Sequence, residues 1–152
     1  MSNNVIVFDN KKHDYFELSN YYPISFKAIV KNNLNNNDEL LTFNSVEQYY
    51  QSERYNTNNK LSQYYRSLIL KCNTPKKAHM LGKQKKFIYD WTINDNSKLT
   101  VKGVIDKYKG KIKIRNDWNK VKSNILLKGL KEKFKDSKLK ELLLSTGNKV
   151  LV

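Results

Sequence analysis

The sequence predicts an α+β fold that is mostly α-helical, with a small antiparallel sheet near the N-terminus. Apolar and polar residues alternate in short runs before residue 45, and apolar residues recur at helical spacing after it. Aromatic residues make up 12% of the chain, which argues against disorder although the apolar fraction is only 39%. A chain of 152 residues without internal repeats is expected to form one domain, 1–152.

The strands are expected in the N-terminal part. The apolar run Val5 to Phe8 predicts a first strand, and a turn begins at His13-Asp14. Phe26 to Val30 and Leu40 to Phe43 predict the two strands of a hairpin. The polar, Asn-rich stretch between them is typical of a loop.

Three helices are expected between residues 45 and 83. Ser45 is a favourable N-cap, and Gln48 three residues later completes a capping box, so a helix is predicted from Val46 to about Tyr55. Apolar residues at helical spacing predict the second helix: Leu61, Tyr64, Tyr65, Leu68 and Ile69. Thr74-Pro75 opens the third helix, and Gly82 is expected to end it.

The pattern after the third helix is weaker. A strand is indicated at Lys111 to Ile114 and a turn at Asp95 to Ser97. Asp117 is expected to cap a long helix with the inner stripe Trp118, Val121, Ile125, Leu130 and Phe134. Ser137 is expected to cap a last helix, ended by Gly147, that buries Leu139, Leu142 and Leu143.

The net charge of +15 is concentrated in the second half of the chain. Residues 1–75 hold 8 basic and 7 acidic side chains, whereas residues 76–152 hold 21 and 7, which gives +1 and +14. This asymmetry fits a polyanionic partner, either nucleic acid or a pyrophosphate-bearing ligand. It fits a solvated lysine-rich surface equally well, so non-specific contact with nucleic acid stays one of two interpretations.

The cysteine and histidine content excludes some classes of site. The single cysteine, Cys72, allows no internal disulfide and favours a reducing, cytoplasmic compartment. No apolar run is long enough for a membrane span or a secretory leader, so no membrane association is expected. His13 and His79 show no ligand spacing, and neither a metal nor a cofactor is predicted.

Two motifs that lie close together are the strongest functional signal. Phe16 to Phe26 reads F-E-L-S-N-Y-Y-P-x-x-F, and Ser45 to Tyr55 reads S-V-E-Q-Y-Y-Q-S-E-R-Y. They gather an acidic residue, amides, a guanidinium and several tyrosines in one helix and the turn before it. This mixture suits a pocket for a base, a sugar and a phosphate better than it suits a plain core.

The two motifs resemble those of the NADAR (YbiA-like) family. Later landmarks follow in that family's order: Thr74 to Ala78, Leu81-Gly82-Lys83, Arg115-x-Asp117-Trp118 with Val121 and Lys122, Lys133-Phe134, and Leu142 to Gly147. The resemblance implies an N-glycosidase that acts on ribose-linked bases. Its substrates would be ADP-ribosyl groups on guanine or ribosylamino-pyrimidine intermediates of riboflavin synthesis.

The chain departs from the family pattern in four places. Arg54 stands where the family usually has a lysine, and Lys83 where it usually has an arginine. The segment Phe87 to Ile114 is longer than the usual connector. The family's later Asp and Trp-Gly-x-Gly segment does not appear before Leu151-Val152, so we expect a domain that is incomplete at its C-terminus relative to the family.

Glu47 is the candidate catalytic residue. Cleavage of a base–ribose bond passes through an oxocarbenium-like state, and a nearby carboxylate stabilises that charge and activates water. A glutamate in a first helical turn is also favoured by the helix dipole alone. The resemblance tips the balance towards catalysis, because Glu47 falls on the family's glutamate position.

The remaining candidates would bind substrate. Asn20 would hydrogen-bond the ribose or base, although an asparagine there also stabilises a turn. Four tyrosines could stack on a base: Tyr21, Tyr22, Tyr49 and Tyr50. Most of them are expected in the core or wall, so only one or two would touch the ligand, and Tyr21, Tyr22 and Tyr50 are kept as candidates. Gln51, an amide side chain of the helix predicted from Val46, is a further candidate for substrate binding.

Arg54 and Lys83 are candidate phosphate contacts. If the family's lysine at the Arg54 position acts as a Schiff-base nucleophile, arginine cannot replace it. Trp118 is expected either to form one face of the base pocket or to anchor the core, and the sequence favours neither interpretation. Asp117 is expected to cap a helix rather than to act as an acid.

We therefore expect hydrolysis of the C1′ N-glycosidic bond of a ribose. The expected substrates are ADP-ribosylated guanine in a nucleotide or nucleic acid, and a ribosylamino-pyrimidine phosphate. The alternatives are a non-catalytic module that binds ADP-ribose or nucleotides, and a basic nucleic-acid-binding protein that keeps the scaffold.

Overall fold

The computed structural model describes residues 5–6, 8, 15–85 and 90–151. In chain order its elements are β1 (Val5–Ile6), a 3₁₀ turn (Phe16–Leu18), β2 (Phe26–Lys31), β3 (Asp38–Phe43), α1 (Val46–Arg54), α2 (Lys60–Leu70), α3 (Pro75–Lys83), α4 (Val101–Tyr108), α5 (Trp118–Lys133), α6 (Ser137–Ser145) and β4 (Val150–Leu151). The predicted turn at His13-Asp14 lies outside the described residues.

The predicted hairpin is confirmed and forms an antiparallel sheet. Strands β2 and β3 pair from Phe26 opposite Phe43 to Lys31 opposite Asp38. Alternate residues of β2 are buried, as the pattern predicted, and they face Val46 and Tyr49 of α1 in one hydrophobic cluster. The helices predicted from residues 46, 61 and 75 are confirmed as α1, α2 and α3, and the expected α+β fold class is confirmed with them.

A second small sheet joins the two ends of the described chain. Strands β1 and β4 pair in parallel, with Val5 opposite Val150 and Ile6 opposite Leu151. A strand at Val5 was expected, but its partner was not. Val5 and Val150 are far apart in the sequence, and a local pattern of residues cannot predict that they pair.

Gly82 does not end α3, contrary to the prediction. The helix continues to Lys83, and Gln84 takes the left-handed conformation with φ of 52°. Gly82 lies inside the helix instead, buried against α1. The glycine therefore allows a close approach between two helices. A glycine late in a helical pattern is also typical of a helix end, which is why the prediction was wrong.

The segment between α3 and α5 also differs from expectation. Lys111 to Ile114 is not a strand, and the helix α4 precedes it. Thr100 caps α4 by accepting from the backbone N–H of Gly103. The helix buries Val101, Val104, Ile105 and Tyr108 against the core around α2 and α3. The turn expected at Asp95 to Ser97 is present, closed by a bond from Ser97 N to the carbonyl of Asn94.

Two capping predictions need correction. Asp117 precedes α5, but its side chain makes no cap; both carboxylate oxygens instead accept hydrogen bonds from Arg115, at 2.7 and 3.1 Å. These bonds lower the pKa of Asp117. Helix α6 is capped by Asp136, whose Oδ1 accepts from Leu139 N, and not by Ser137.

Candidate functional site

Helix α1 is the element on which the candidate site is built. It packs against α2, α3, α5 and β3, so most of its residues are buried. Ser45 accepts a hydrogen bond from Gln48 N at 3.0 Å, which is the predicted cap. The first turn is also held by Asn20, whose carbonyl oxygen accepts from Glu47 N at 3.1 Å. The Ser19-Asn20-Tyr21 turn is thereby docked against the start of α1.

The Glu47 carboxylate is buried and held by one oxygen. Only 6% of the residue is exposed. Its Oε1 atom accepts from Gln51 Nε2 at 2.8 Å and lies 2.7 Å from His79 Nδ1. Since a carboxylate oxygen only accepts, Nδ1 of His79 carries the proton in this bond. No described residue donates to Oε2, which leaves the second oxygen for a substrate or a water molecule.

Helix α3 brings His79 to Glu47 because it lies close against α1. A side chain at Gly82 would meet Gln51, with a Cβ only 2.1 Å from Gln51 Oε1. Tyr55 reinforces the contact by donating from its hydroxyl to the Gly82 carbonyl at 2.6 Å. The backbone of α3 is therefore locked to α1 where the two site residues face each other.

Gln51 itself has an unused polar atom. Its Oε1 is buried and accepts no hydrogen bond from the described residues, while its Nε2 holds Glu47. A buried acceptor without a partner costs free energy, and a ligand donor would offset that cost. The residue thus holds an unsatisfied acceptor in the contact between α1 and α3, beside the carboxylate.

Tyr21 covers one side of the pair. Its ring centroid lies 5.5 Å from that of His79. Burial raises the pKa of Tyr21 well above its usual range, and the Glu47 charge raises it further. The phenol therefore stays neutral and keeps its proton as a donor at any working pH.

A cationic group lies at the other end of α1. The Nε and Nη1 atoms of Arg54 are buried and have no hydrogen-bond partner among the described residues. The guanidinium stands over the Trp118 ring, 5.7 Å from its centroid. Burial lowers the pKa of Lys83, and the neighbouring Arg54 charge lowers it further, whereas Glu47 raises it. Arg54 and Lys83 therefore place two cations in one neighbourhood, and the buried donors of Arg54 have no partner among the described residues.

Trp118 lies inside the fold at this end. It is 5% exposed, and its ring centroid is 4.9 Å from that of Tyr50. Burial raises the pKa of Tyr50, an effect that Arg54 opposes and Glu47 reinforces. Trp118 and Tyr50 therefore form a wall under Arg54, with little of the indole ring open to a base.

The structure does not bring all the candidates together. The Tyr22 ring contacts Phe16 edge-on at 5.8 Å, and the Lys133 ammonium lies 5.8 Å from its centroid. No described interaction joins Tyr22 to Glu47. Asn20 reaches the site through its backbone carbonyl, and no side-chain hydrogen bond to another described residue is found for it.

His79 was missed as a site residue. His79 has no metal-ligand spacing in the sequence, and its partner Glu47 lies 32 residues earlier, too far apart for a local pattern to connect them. A usable signal exists in retrospect, because Lys76, His79 and Lys83 recur at intervals of three and four on one face of α3. A stripe of polar residues on a helix that also has a buried glycine indicates that this face of α3 contacts a functional site.

The described residues form neither a metal site nor a membrane span. Across residues 15–85 and 90–151, no cluster of three or more His, Cys, Asp or Glu side chains is suited to a metal ion. None of the described helices combines the length and apolarity that crossing a membrane requires.

Comparison with known proteins places this chain and its fold in a family. The chain belongs to the NADAR domain family, whose model matches residues 7–152. This family is associated with N-glycosidase activity.

A solved structure shows the same fold. The NMR structure of the E. coli protein YbiA is similar with a TM-score of 0.63 and 23% sequence identity, over 100% of this chain and 67% of that chain. At this identity the likeness establishes the fold alone. No curated protein matches the sequence.

Proposed function

We propose that this protein hydrolyses the C1′ N-glycosidic bond of a ribose-linked base. The observation that carries the proposal is the Glu47 carboxylate, which is buried, held at Oε1 by His79 and Gln51, and unbound at Oε2 by any described residue. A fixed carboxylate in a low-dielectric setting stabilises a developing positive charge more strongly than a solvated one. Oxocarbenium formation at C1′ creates such a charge.

The reaction follows from the position of Glu47. As the C1′–N bond breaks, its electron pair leaves with the base, and positive charge spreads over C1′ and the ring oxygen. Water attacks C1′ and transfers a proton to Oε2 of Glu47, and the departing base nitrogen takes up one proton, which Glu47 returns directly or through solvent so that its carboxylate is restored. The products are the free base and a ribose with a hydroxyl group at C1′. His79 and Gln51 keep Oε1 fixed throughout.

Arg54 and Lys83 serve binding in this scheme. The unused donors of Arg54 suit a phosphate oxygen, which a guanidinium binds with two parallel hydrogen bonds. Arginine has no nucleophilic amine at working pH, so the scheme uses water and requires no Schiff base. A phosphate at this end places the attached ribose along α1 towards Glu47.

The favoured substrate is ADP-ribose attached to guanine, in a nucleotide or in nucleic acid. A pyrophosphate matches two adjacent cations better than a single phosphate does. The +14 charge of residues 76–152 favours the form linked to nucleic acid. The ribosylamino-pyrimidine phosphate is the second candidate, because it presents the same C1′–N bond and one phosphate.

The test compares the parent with Glu47→Gln on all three substrates. Released ADP-ribose or ribose phosphate is quantified by mass spectrometry. Glu47→Gln keeps the size of the side chain, and we expect a loss of about 10²- to 10⁴-fold in rate. Glu141→Gln, an exposed carboxylate on α6, is the matched control and should retain the parent's rate.

Three outcomes would count against the proposal. Equal rates in the parent and Glu47→Gln would remove the carboxylate from the mechanism. Binding of free ADP-ribose without release from any substrate would favour a binding module. Strong, salt-dependent binding of nucleic acid with no affinity for ADP-ribose would favour a basic nucleic-acid-binding protein.

A further inference from the structure

A groove opens beside Tyr21, and Glu47 is not among the described residues that line it. It has a volume of about 780 Å³, within the range of small-ligand sites. Most of its lining is apolar and comes from Phe16, Tyr21, Pro23, Pro75 and Trp91. We propose that this groove binds the nucleobase next to the target base in a single-stranded nucleic acid.

The aromatic lining suits a stacked base. Every nucleobase has a flat π-face, and proteins that bind single strands stack successive bases on aromatic rings. Trp91 is 38% exposed, which is unusual for so large an apolar side chain. Phe16 and Tyr21 supply two further rings to the lining.

Trp91 is held in place by the backbone around it. Its carbonyl accepts from Val101 N at 2.8 Å, at the start of α4. The next residue, Thr92, forms an antiparallel bridge with Thr100, and Ile93 accepts from Asn73 N at 3.0 Å. These bonds tie the segment to both α4 and the start of α3, so the groove is preformed and stacking costs little ordering.

The charge of the groove fits a nucleic acid. Lys76 and Lys77 are among its lining residues, and none of the described residues that line it is acidic. The Lys76 ammonium stands 5.7 Å from the centroid of the Trp91 ring, where it can meet the phosphate of a base stacked there. Lysine contacts of this kind recognise the backbone in any sequence.

The groove and the cation pair lie at opposite ends of one helix face. Lys76, His79 and Lys83 follow one another along α3, so Lys76 and Lys83 are about 10 Å apart along its axis at 1.5 Å per residue. Glu47 contacts the middle one. If Arg54 and Lys83 hold the phosphates of ADP-ribose, the base departs towards the groove. This step rests on the proposed function, and it assigns the groove to the nucleic acid rather than to adenine.

The test measures binding of an unmodified, fluorescein-labelled single-stranded oligonucleotide by fluorescence anisotropy. The variants are Trp91→Ala, Trp91→Phe and Lys76→Ala. Trp91→Ala is expected to weaken binding by about tenfold or more, and Trp91→Phe to restore most of the affinity, because a phenyl ring still stacks. Lys76→Ala should reduce both the affinity and its dependence on salt.

Two matched controls separate stacking from general effects. Leu99→Ala removes another exposed apolar side chain of the same segment, 45% exposed. Lys107→Ala removes a lysine that stands over Tyr108 in a similar geometry, 5.5 Å from the ring centroid. Both controls are expected to bind the oligonucleotide as the parent does.

The outcomes separate this inference from the proposed function. The assignment of the groove to a nucleobase would be overturned by equal losses of affinity in Trp91→Ala and Leu99→Ala. Equal affinity for single-stranded and double-stranded DNA would also overturn it. A parallel loss of affinity for free ADP-ribose in Trp91→Ala would assign the groove to adenine and also overturn it. Selective loss of single-strand binding would support the groove even if no substrate were hydrolysed, because this readout requires no turnover.

Discussion

Gly82 of α3 lies directly against the side chain of Gln51 on α1. A Cβ atom at position 82 would come within 2.1 Å of Gln51 Oε1 and 2.7 Å of its Cβ. Because the second atom belongs to the base of the side chain, rotation of the amide alone does not relieve the clash. The contact sets how closely α3 approaches α1, and that approach brings His79 to Glu47.

Gly82→Ala is therefore expected to separate the two helices. Overpacking of this kind costs about 1–3 kcal/mol, so the free energy of unfolding should fall by that amount in a urea titration. The folded variant should also lose activity, since His79 moves away from Glu47. Lys102→Ala is the control, because it changes an exposed position of α4 and adds no atom at a helix contact. Unchanged stability and rate in Gly82→Ala would contradict the packing argument.

His79 is expected to act through its Nδ1 donor. His79→Ala removes a hydrogen bond to a charged group, worth about 1.5–3 kcal/mol, which corresponds to roughly 10- to 100-fold in rate if it is lost in the transition state. His79→Asn places an amide N–H near the position of Nδ1 and should recover part of the rate. Steady-state kinetics on ADP-ribosylated guanosine would decide. Equal rates for the alanine and asparagine variants would show that the donor has no role.

Arg54→Met is expected to weaken the binding of ADP-ribose with little change in the stability of the fold. The variant removes two buried donors without partners, which offsets the lost contact with Trp118, so the free energy of unfolding should stay within about 1 kcal/mol of the parent. Affinity for free ADP-ribose, measured by calorimetry, should fall about tenfold or more.

The control for Arg54 is Lys102→Met, which removes an exposed cation of α4. It should keep the parent's affinity for ADP-ribose. Arg54→Met with full affinity would place the anion site elsewhere.

Because Lys133 is buried, we expect the free energy of unfolding to depend on pH. The residue is 1% exposed and donates from its ammonium to the Ser19 carbonyl at 2.7 Å. Burial lowers its pKa to about 8, an effect that the Glu17 charge opposes. Above that pH the folded protein has released a proton that the unfolded chain keeps until about 10.4. The unfolded state then binds more protons, so the contribution of Lys133 to stability rises with pH in this window.

The measurement is the difference in free energy of unfolding between the parent and Lys133→Met. It should shift in favour of the parent by up to about 1.4 kcal/mol for each pH unit between about 8 and 10. The subtraction cancels the titration of the tyrosines. A difference that is constant with pH, or that shifts towards the variant, would contradict the burial of a charged amine.

Local patterns predicted much of the fold. The hairpin followed from alternation in Phe26 to Val30, and α1 and α3 followed from Ser45 and Thr74 as caps. Contacts within a few residues decide such features, so one short stretch of sequence contains them. The cap of α6 was misplaced by one residue, from Asp136 to Ser137, because both side chains are good caps.

Features that depend on distant contacts were missed. The role of Gly82 comes from Gln51, and that of His79 from Glu47, both about thirty positions away. Helix α4 had a readable stripe, but the alternation in Lys111 to Ile114 drew the prediction towards a strand instead. The groove at Trp91 likewise depends on three separate segments meeting.

The most direct test of the central claim is to measure binding and turnover together on Glu47→Gln with guanine-ADP-ribosylated substrate. Calorimetry gives the affinity, and mass spectrometry gives the release of ADP-ribose. We expect affinity close to the parent's, because Arg54 and Lys83 are intact, and a rate reduced by about 10²-fold or more. Turnover at the parent's rate would show that Glu47 is not the catalytic carboxylate.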